Sequence, residues 1–431
     1  MTSEWSTFFL EDCLDALIDY RGKTPIKTEY GIPLITAKVI KGGRIETPTE
    51  FIATDDYDSW MRRGIPECGD VVLTVEAPLG EVAQLGSEKI ALAQRVVTLR
   101  GKKGVLDSSY LLYWLQSEHA KDQLKARATG TTVIGIKQSE LRKIEITIPR
   151  IEVQQVVAKT LQSIDDRITL LRETNKTLES IAKAIFKSWF VDFDPVHAKE
   201  KGIAPEGMDE ATAALFPDSF EKTEMGMVPK GWKLTDLSSA VEINPRYSLK
   251  KGSLAPYLDM ANSNTEGHTV GTLINREVGS GAKFANGDTL LARITPCLEN
   301  GKTSFVDFLD GSQLGWGSTE FVVLRPKPPL PNYFSYLLCR HKPFREFAIQ
   351  SMSGTSGRQR IQNDVLGKFP IAVPTSDVGL CFSRIVEVVQ SKITANHSQS
   401  CTLTRLRDTL LPRLISGQLR IEDAQEMVES V

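Results

Sequence analysis

Cysteine and histidine are scarce in this sequence, and neither is clustered. The six cysteines (Cys13, Cys68, Cys297, Cys339, Cys381, Cys401) form no C-x-x-C pair, and the five histidines (His119, His197, His268, His341, His397) have no metal-ligand spacing. That argues against a zinc site or a disulfide framework and for free thiols in a reducing compartment. No stretch approaches the ~18 consecutive apolar residues of a membrane span. The start, MTSEWSTFFLEDCLDAL, is acidic and lacks the basic opening and long apolar core of a secretory leader. A cytoplasmic location is the expectation. A surplus of one charge is lacking too, with 52 Lys and Arg against 54 Asp and Glu.

Complete catalytic signatures are also missing. Leu298-Glu299-Asn300-Gly301-Lys302-Thr303 ends like a phosphate-binding P-loop, but Pro296 stands where the motif needs its first glycine. Asn244-Pro245-Arg246-Tyr247 comes close to the N-P-P-Y loop of amino-methyltransferases. There Arg replaces the second Pro, and no Gly-rich S-adenosylmethionine loop accompanies it. Pro217-Asp218 with Glu221-Lys222 is too compressed for a metal-dependent nuclease site. The expectation is a chain with no catalytic residue and no metal or cofactor of its own.

What the sequence does have is a long apolar seam. From Glu152 to Phe190 there is neither Gly nor Pro, and Val157, Leu161, Ile164, Ile168, Leu171, Asn175, Leu178, Ala182, Ile185 and Trp189 recur at spacings of four and three. This is a heptad stripe on a helix about 58 Å long, which needs a partner helix. The same phase returns 225 residues later. Val157 falls on Phe382, Leu161 on Val386, Ile164 on Val389, Ile168 on Ile393, Leu178 on Leu403, Ile185 on Leu410 and Trp189 on Leu414. The second seam is poorer, with Asn396, Ser400 and Arg407 at three of its positions.

The repeat extends upstream. GTTVIGIKQSELRKIEITIP (130–149) answers GTSGRQRIQNDVLGKFPIAVP (354–374), and Gly69–Leu73 answers Gly287–Leu291. A period above 200 residues is a duplicated domain, not a solenoid. The predicted layout is a first globule over 1–150, a long helix over 151–190 and a Gly- and Pro-bearing linker over 191–230. A second globule over 231–375 and a second long helix with an acidic tail over 376–431 complete it. Strands are expected in IPLITAKVI (32–40), DVVLTV (70–75) and IALAQRVVTLR (90–100), and a helix over 108–128. The fold class is thus α+β, two mixed α/β globules in pseudo-two-fold repeat with two long helices between them. An antiparallel pair within the chain fits that symmetry, while heptad periodicity alone leaves an intermolecular coiled coil open.

The near-neutral net charge hides a local bias. Residues 89–150 carry twelve Lys/Arg against five Asp/Glu, and residues 321–374 carry eight against two. The windows lie in register in the two copies and point to a polyanion. Within them Thr129, Thr131 and Thr132 with Lys137, and Ser353, Thr355, Ser356, Arg358, Gln359 and Arg360, form small hydroxyl-rich turns beside basic residues. Gly lets a backbone approach a phosphodiester, hydroxyls bond its oxygens, and Arg or Gln can pair bidentately with base edges. Lys38, Lys41, Arg44, Arg62, Arg63, Arg293 and Lys302 are further DNA-contact candidates, each readable equally as solvated surface.

Several peculiar stretches carry a resemblance over essentially the whole chain: DYRGKTP (19–25), IPLITAKVIKGG (32–43), GDVVLTVEAPLG (69–80), AIFKSWFVDFDPVHAK (184–199), GDTLLARITPCLENGK (287–302), GWGSTEFVVLRP (315–326), MSGTSGRQR (352–360) and LLPRLISGQL (410–419). With them the sequence resembles the specificity subunit of type I restriction-modification systems. The resemblance implies two target-recognition domains, each reading one half of a split DNA sequence. It implies antiparallel helices that set the gap and hold two adenine methyltransferase subunits. Restriction subunits, translocases with a nuclease domain, would join them. S-adenosylmethionine, ATP and Mg would belong to those partners. The competing reading is a coiled-coil interaction protein whose globules bind peptides; it accounts for the seam but not for the paired basic windows.

Overall fold

The computed structural model describes residues 5–224, 226–355 and 357–429. Contacts divide the chain into two units. One comprises Met1–Thr169 with Cys401–Val431, and the other Leu170–Ser400.

The first unit is built on Val71–Val75, an unbroken apolar run with all five residues buried. It sits inside an antiparallel four-stranded sheet in the order Leu14–Asp19, Val96–Gly101, Val71–Val75, Leu79–Gln84. The helix Ser108–Gln116 packs on this sheet and buries Tyr110 to Leu115. Asp107 caps it by accepting from the Tyr110 N–H at 3.0 Å. The single helix expected over 108–128 is two. Ser117 turns to extended backbone and becomes the N-cap of Glu118–Arg127, its hydroxyl accepting from Ala120. A three-stranded sheet (Phe51–Ile52, Ile32–Ile35, Ala91–Leu92) covers a second apolar cluster around Leu34, Ile40 and Leu92.

The second unit repeats the order: Val241–Ile243, Phe321–Pro326, Thr289–Ala292, Thr303–Phe305. Its helix Tyr333–Arg340 takes the place of Ser108–Gln116. Even a buried ion pair recurs. Arg100 Nε reaches Asp70 at 2.8 Å in one unit, and Arg325 Nε reaches Asp288 at 2.8 Å in the other. Both carboxylates are buried, at 2% and 0% exposure, so each depends on its arginine.

The long helices run Ile151–Phe190 and Ser376–Ile415, 40 residues each. Gln154, fully buried, anchors the first by donating to the carbonyls of Pro149 and Val105 while accepting from Asp107 N–H. In the first unit Arg407 donates to Asp165 at 2.8 Å. In the second, Asn396 donates to Asn175 Oδ1 at 2.8 Å, Asn175 donates to the Ile393 carbonyl at 3.1 Å, and the Trp189 and Phe382 rings lie 5.6 Å apart. Rising numbers on one helix meet falling numbers on the other, which makes the pair antiparallel. Of the expected seam, Val157, Leu161, Ile164, Ile168, Trp189, Phe382, Val386, Ile393, Leu403, Leu410 and Leu414 are buried, and Leu171, Leu178, Ile185 and Val389 are half-buried. Each fully buried Leu or Ile contributes roughly 1.5–3 kcal/mol. The polar interruptions of the poorer seam find partners: Asn396 meets Asn175, and Arg407 meets Asp165.

Residues 191–230, marked by Gly and Pro as a linker, are packed. They form the helices Asp194–Glu200 and Glu210–Ala214 and the hairpin Phe220–Thr223 with Gly226–Pro229. Val196, Phe216 and Val228 bury against Phe186, Phe190, Trp232, Phe334 and Phe382. The acidic tail after Gly417, grouped by sequence with the last long helix, forms a separate helix, Ile421–Glu429. Gly417 adopts φ +73°, and the Leu419 N–H caps the Arg413 carbonyl at 3.1 Å, which stops the long helix at Ile415. Trp5 occupies the space a side chain at Gly417 would need, 2.7 Å from an ideal Cβ.

Candidate nucleic-acid interface

Each unit hangs one glycine-closed loop from the end of its central strand. In the first, Thr129 and Gly135 exchange backbone hydrogen bonds at 2.9 and 3.0 Å, and Ile136 N–H donates to the Val75 carbonyl at 3.0 Å. Gly130 has φ +123°, and a Cβ there would fall 2.0 Å from the Val133 carbonyl, so only glycine allows this closure. Thr129, Thr131, Thr132 and Lys137 are exposed around it. In the second, Ser353 and Arg360 exchange backbone bonds at 3.0 and 2.9 Å. Thr295 N–H donates to Gln359 at 3.0 Å, and Ile361 N–H to Arg293 at 3.0 Å. Ser353, Thr355 and Arg358 face solvent, and Gln359 is half-buried. Ser356 lies outside the described residues.

The basic candidates divide by what already holds them. The Arg360 guanidinium grips both Glu320 oxygens at 2.6 to 3.0 Å and keeps that carboxyl below its ordinary pKa. Arg293 donates to the Ile361 carbonyl at 2.7 Å, and Lys302 to the Met260 carbonyl. These three brace the loop and its surroundings. Lys41 pairs with Glu46 at 2.8 Å, and Lys38 lies 3.8 Å from Glu50 with its side chain largely exposed. Arg44 and Arg62 are exposed, while Arg63 donates to the carbonyls of Asp19 and Arg21 at 3.1 and 2.6 Å. Much of the basic surplus is therefore internal. Besides Arg100 and Arg325, Arg340 donates to the carbonyls of Thr265, Gly267, Gly301 and Thr303, and Arg345 to that of Glu299.

Two residues outside the sequence-based candidates belong to this region. Asp19 and Arg21 join Arg63, Lys137, Leu17 and Gln138 around a depression of about 500 Å³ at the foot of the first loop. Arg21 is held by Asp19 at 2.6 Å and donates Nη1 to the Ile136 carbonyl at 2.6 Å, so it buttresses the loop base. The signal was in the repeat: Arg246 stands 225 residues after Arg21. The near-miss at Asn244 resolves structurally. Asn244, at φ +55°, clips the adjacent strand by donating N–H to the Val323 carbonyl and accepting from its N–H.

Two α+β units, each presenting a loop from an equivalent strand end and each holding part of both long antiparallel helices, define a duplicated scaffold. The comparisons agree with that class. Residues 2–180 match the type I restriction modification DNA specificity domain. The chain is 26% identical to the MjaIX specificity subunit of Methanocaldococcus jannaschii, over 97% of this chain and 94% of the relative. It is 23% identical to the HindI specificity subunit of Haemophilus influenzae, over 77% and 82%. A solved S subunit of a type I restriction-modification system from M. genitalium shares the fold, with TM-score 0.58, 16% identity and 96% coverage of both chains. The chain is thus similar to type I restriction-modification specificity subunits over nearly its whole length, and the family's DNA specificity domain matches its residues 2–180.

Proposed function

We propose that the chain recognises a bipartite DNA sequence, each unit reading one half through its glycine-closed loop and neighbouring surface. The helices set the spacing between the halves and dock two methyltransferase subunits. Restriction subunits join that core, and the chain itself is non-catalytic. S-adenosylmethionine, ATP and Mg serve the partner subunits. The observation that carries this reading is the equivalence of the two loops, hung from matching strands of a duplicated fold with different side chains at their tips. Equivalent loops suit the two-fold axes of a duplex, and different tips suit two different half-sites.

The test is to assemble the chain with its modification subunits and sequence the methylated sites. Two short blocks separated by a fixed run of unread bases are expected. Methylation at one contiguous block, or at no defined sequence, overturns the reading. The chain purified alone is expected to bind no S-adenosylmethionine and neither to methylate nor to cut DNA.

A further inference from the structure

The two loops differ most in the chemistry of their tips. The second offers Arg358 and Gln359, which can make paired hydrogen bonds to base edges. The first, Thr131-Thr132-Val133-Ile134, offers no bidentate group at all. All four residues are exposed, with Val133 at 45% and Ile134 at 55%. Every one of them ends in methyl groups, two with a hydroxyl beside. The base of the loop is tied down: Gly130 fixes its closure, and Thr129, Gly135 and Ile136 bond across it and to the sheet. At that base stand Lys137, which is exposed, and Arg63, with Arg21 neutralised by Asp19.

In the DNA major groove, one base alone presents an apolar feature: thymine, through its C5-methyl group. An aliphatic tip on a fixed base flanked by cations matches such a methyl between phosphates. We propose that Val133 and Ile134 read a thymine C5-methyl in the half-site of the first unit, with Lys137 and Arg63 on the adjoining backbone. The inference rests on the DNA-recognition reading above and adds a base identity to it. The second unit, with Arg358 and Gln359 in the equivalent place, reads its half-site by hydrogen bonds instead.

Once the two blocks are known, competition binding by the assembled complex uses duplexes in which each thymidine in turn is replaced by deoxyuridine. That change deletes the methyl and keeps every hydrogen-bonding group. The expected result is a loss of about fourfold in affinity per methyl contact, at a position in one block only. The double variant V133S/I134S should bind the thymine and uracil duplexes equally, whereas Arg358→Ala should keep the sensitivity. Since both residues face solvent, the double variant should melt with the wild type. Indifference of the wild type to every such replacement, or sensitivity surviving in V133S/I134S, overturns the proposal while sequence recognition stands. A double variant that instead loses DNA bending, with no methyl dependence in the wild type, makes the tip a wedge and also overturns it. If the wild-type complex prefers no sequence over random competitor, the recognition reading itself falls.

Discussion

At the scale of single residues, the division between reading and bracing is the testable content. Arg358 faces solvent and binds within the loop through its backbone, which alanine retains, so Arg358→Ala should relax preference in one block by about 1–3 kcal/mol and leave the other block intact. A loss equal across all sequences, with a shallower salt dependence, would make it a phosphate clamp instead. Arg360 should behave differently. It holds Glu320 in a charged, hydrogen-bonded pair that keeps the carboxyl below its ordinary 4.5. A carboxyl lowered on folding contributes stability that is present above its unfolded pKa and lost as pH falls through the folded one. Arg360→Ala should therefore unfold more readily in urea at pH 7, and its deficit should shrink as the pH drops below 4.5. An equal deficit at pH 7 and in acid would assign the effect to packing. The sequence shows both arginines in one eight-residue turn with nothing to separate them. Their difference lies in Glu320, 40 residues away, whose position depends on how strands pair.

At the scale of elements, the helix seam was legible because burial imposes a period that survives without knowledge of the partner. The polar gaps were not, because a gap is explained only by what stands across from it. Asn175 and Asn396 bond to each other inside the seam, the arrangement by which a buried amide fixes register at some cost in stability. Asn396→Leu alone strips Asn175 of a partner and should cost about 1–3 kcal/mol in chemical denaturation. Changing both to Leu should raise the melting temperature while loosening alignment, read out as a mixture of gap lengths among methylated sites. A double variant with a higher melting point and a single gap would show that register is fixed elsewhere. The packed segment 191–230 and the terminal helix were hidden for a related reason. Gly and Pro mark turns, but they do not say whether the turns are then covered by Phe186, Phe190 and Trp232.

At the scale of the molecule, the duplication was visible in spacing alone, since matched segments 225 residues apart had to fold alike. If the helices act as the ruler, four residues inserted into both, beside Asn175 and Asn396, add about 6 Å to each and keep nearly the same face. At ~3.4 Å per base pair the gap should lengthen by one to two pairs while both blocks keep their identity. An active complex with an unchanged gap would show that the spacing is set elsewhere. The division of the chain also has a consequence for its synthesis. One unit is a single run, Leu170–Ser400, and can close as soon as its last strand and helix emerge. The other starts first and finishes last, because its helix segment ending at Thr169 pairs with residues from Cys401 onward. At 5–20 residues per second, the 231 intervening residues (400 − 169) keep Val157, Leu161 and Ile164 waiting for about ten to fifty seconds. For that interval the newborn chain carries a bare apolar stripe on the ribosome, open to a chaperone or to the same stripe on a neighbouring nascent chain.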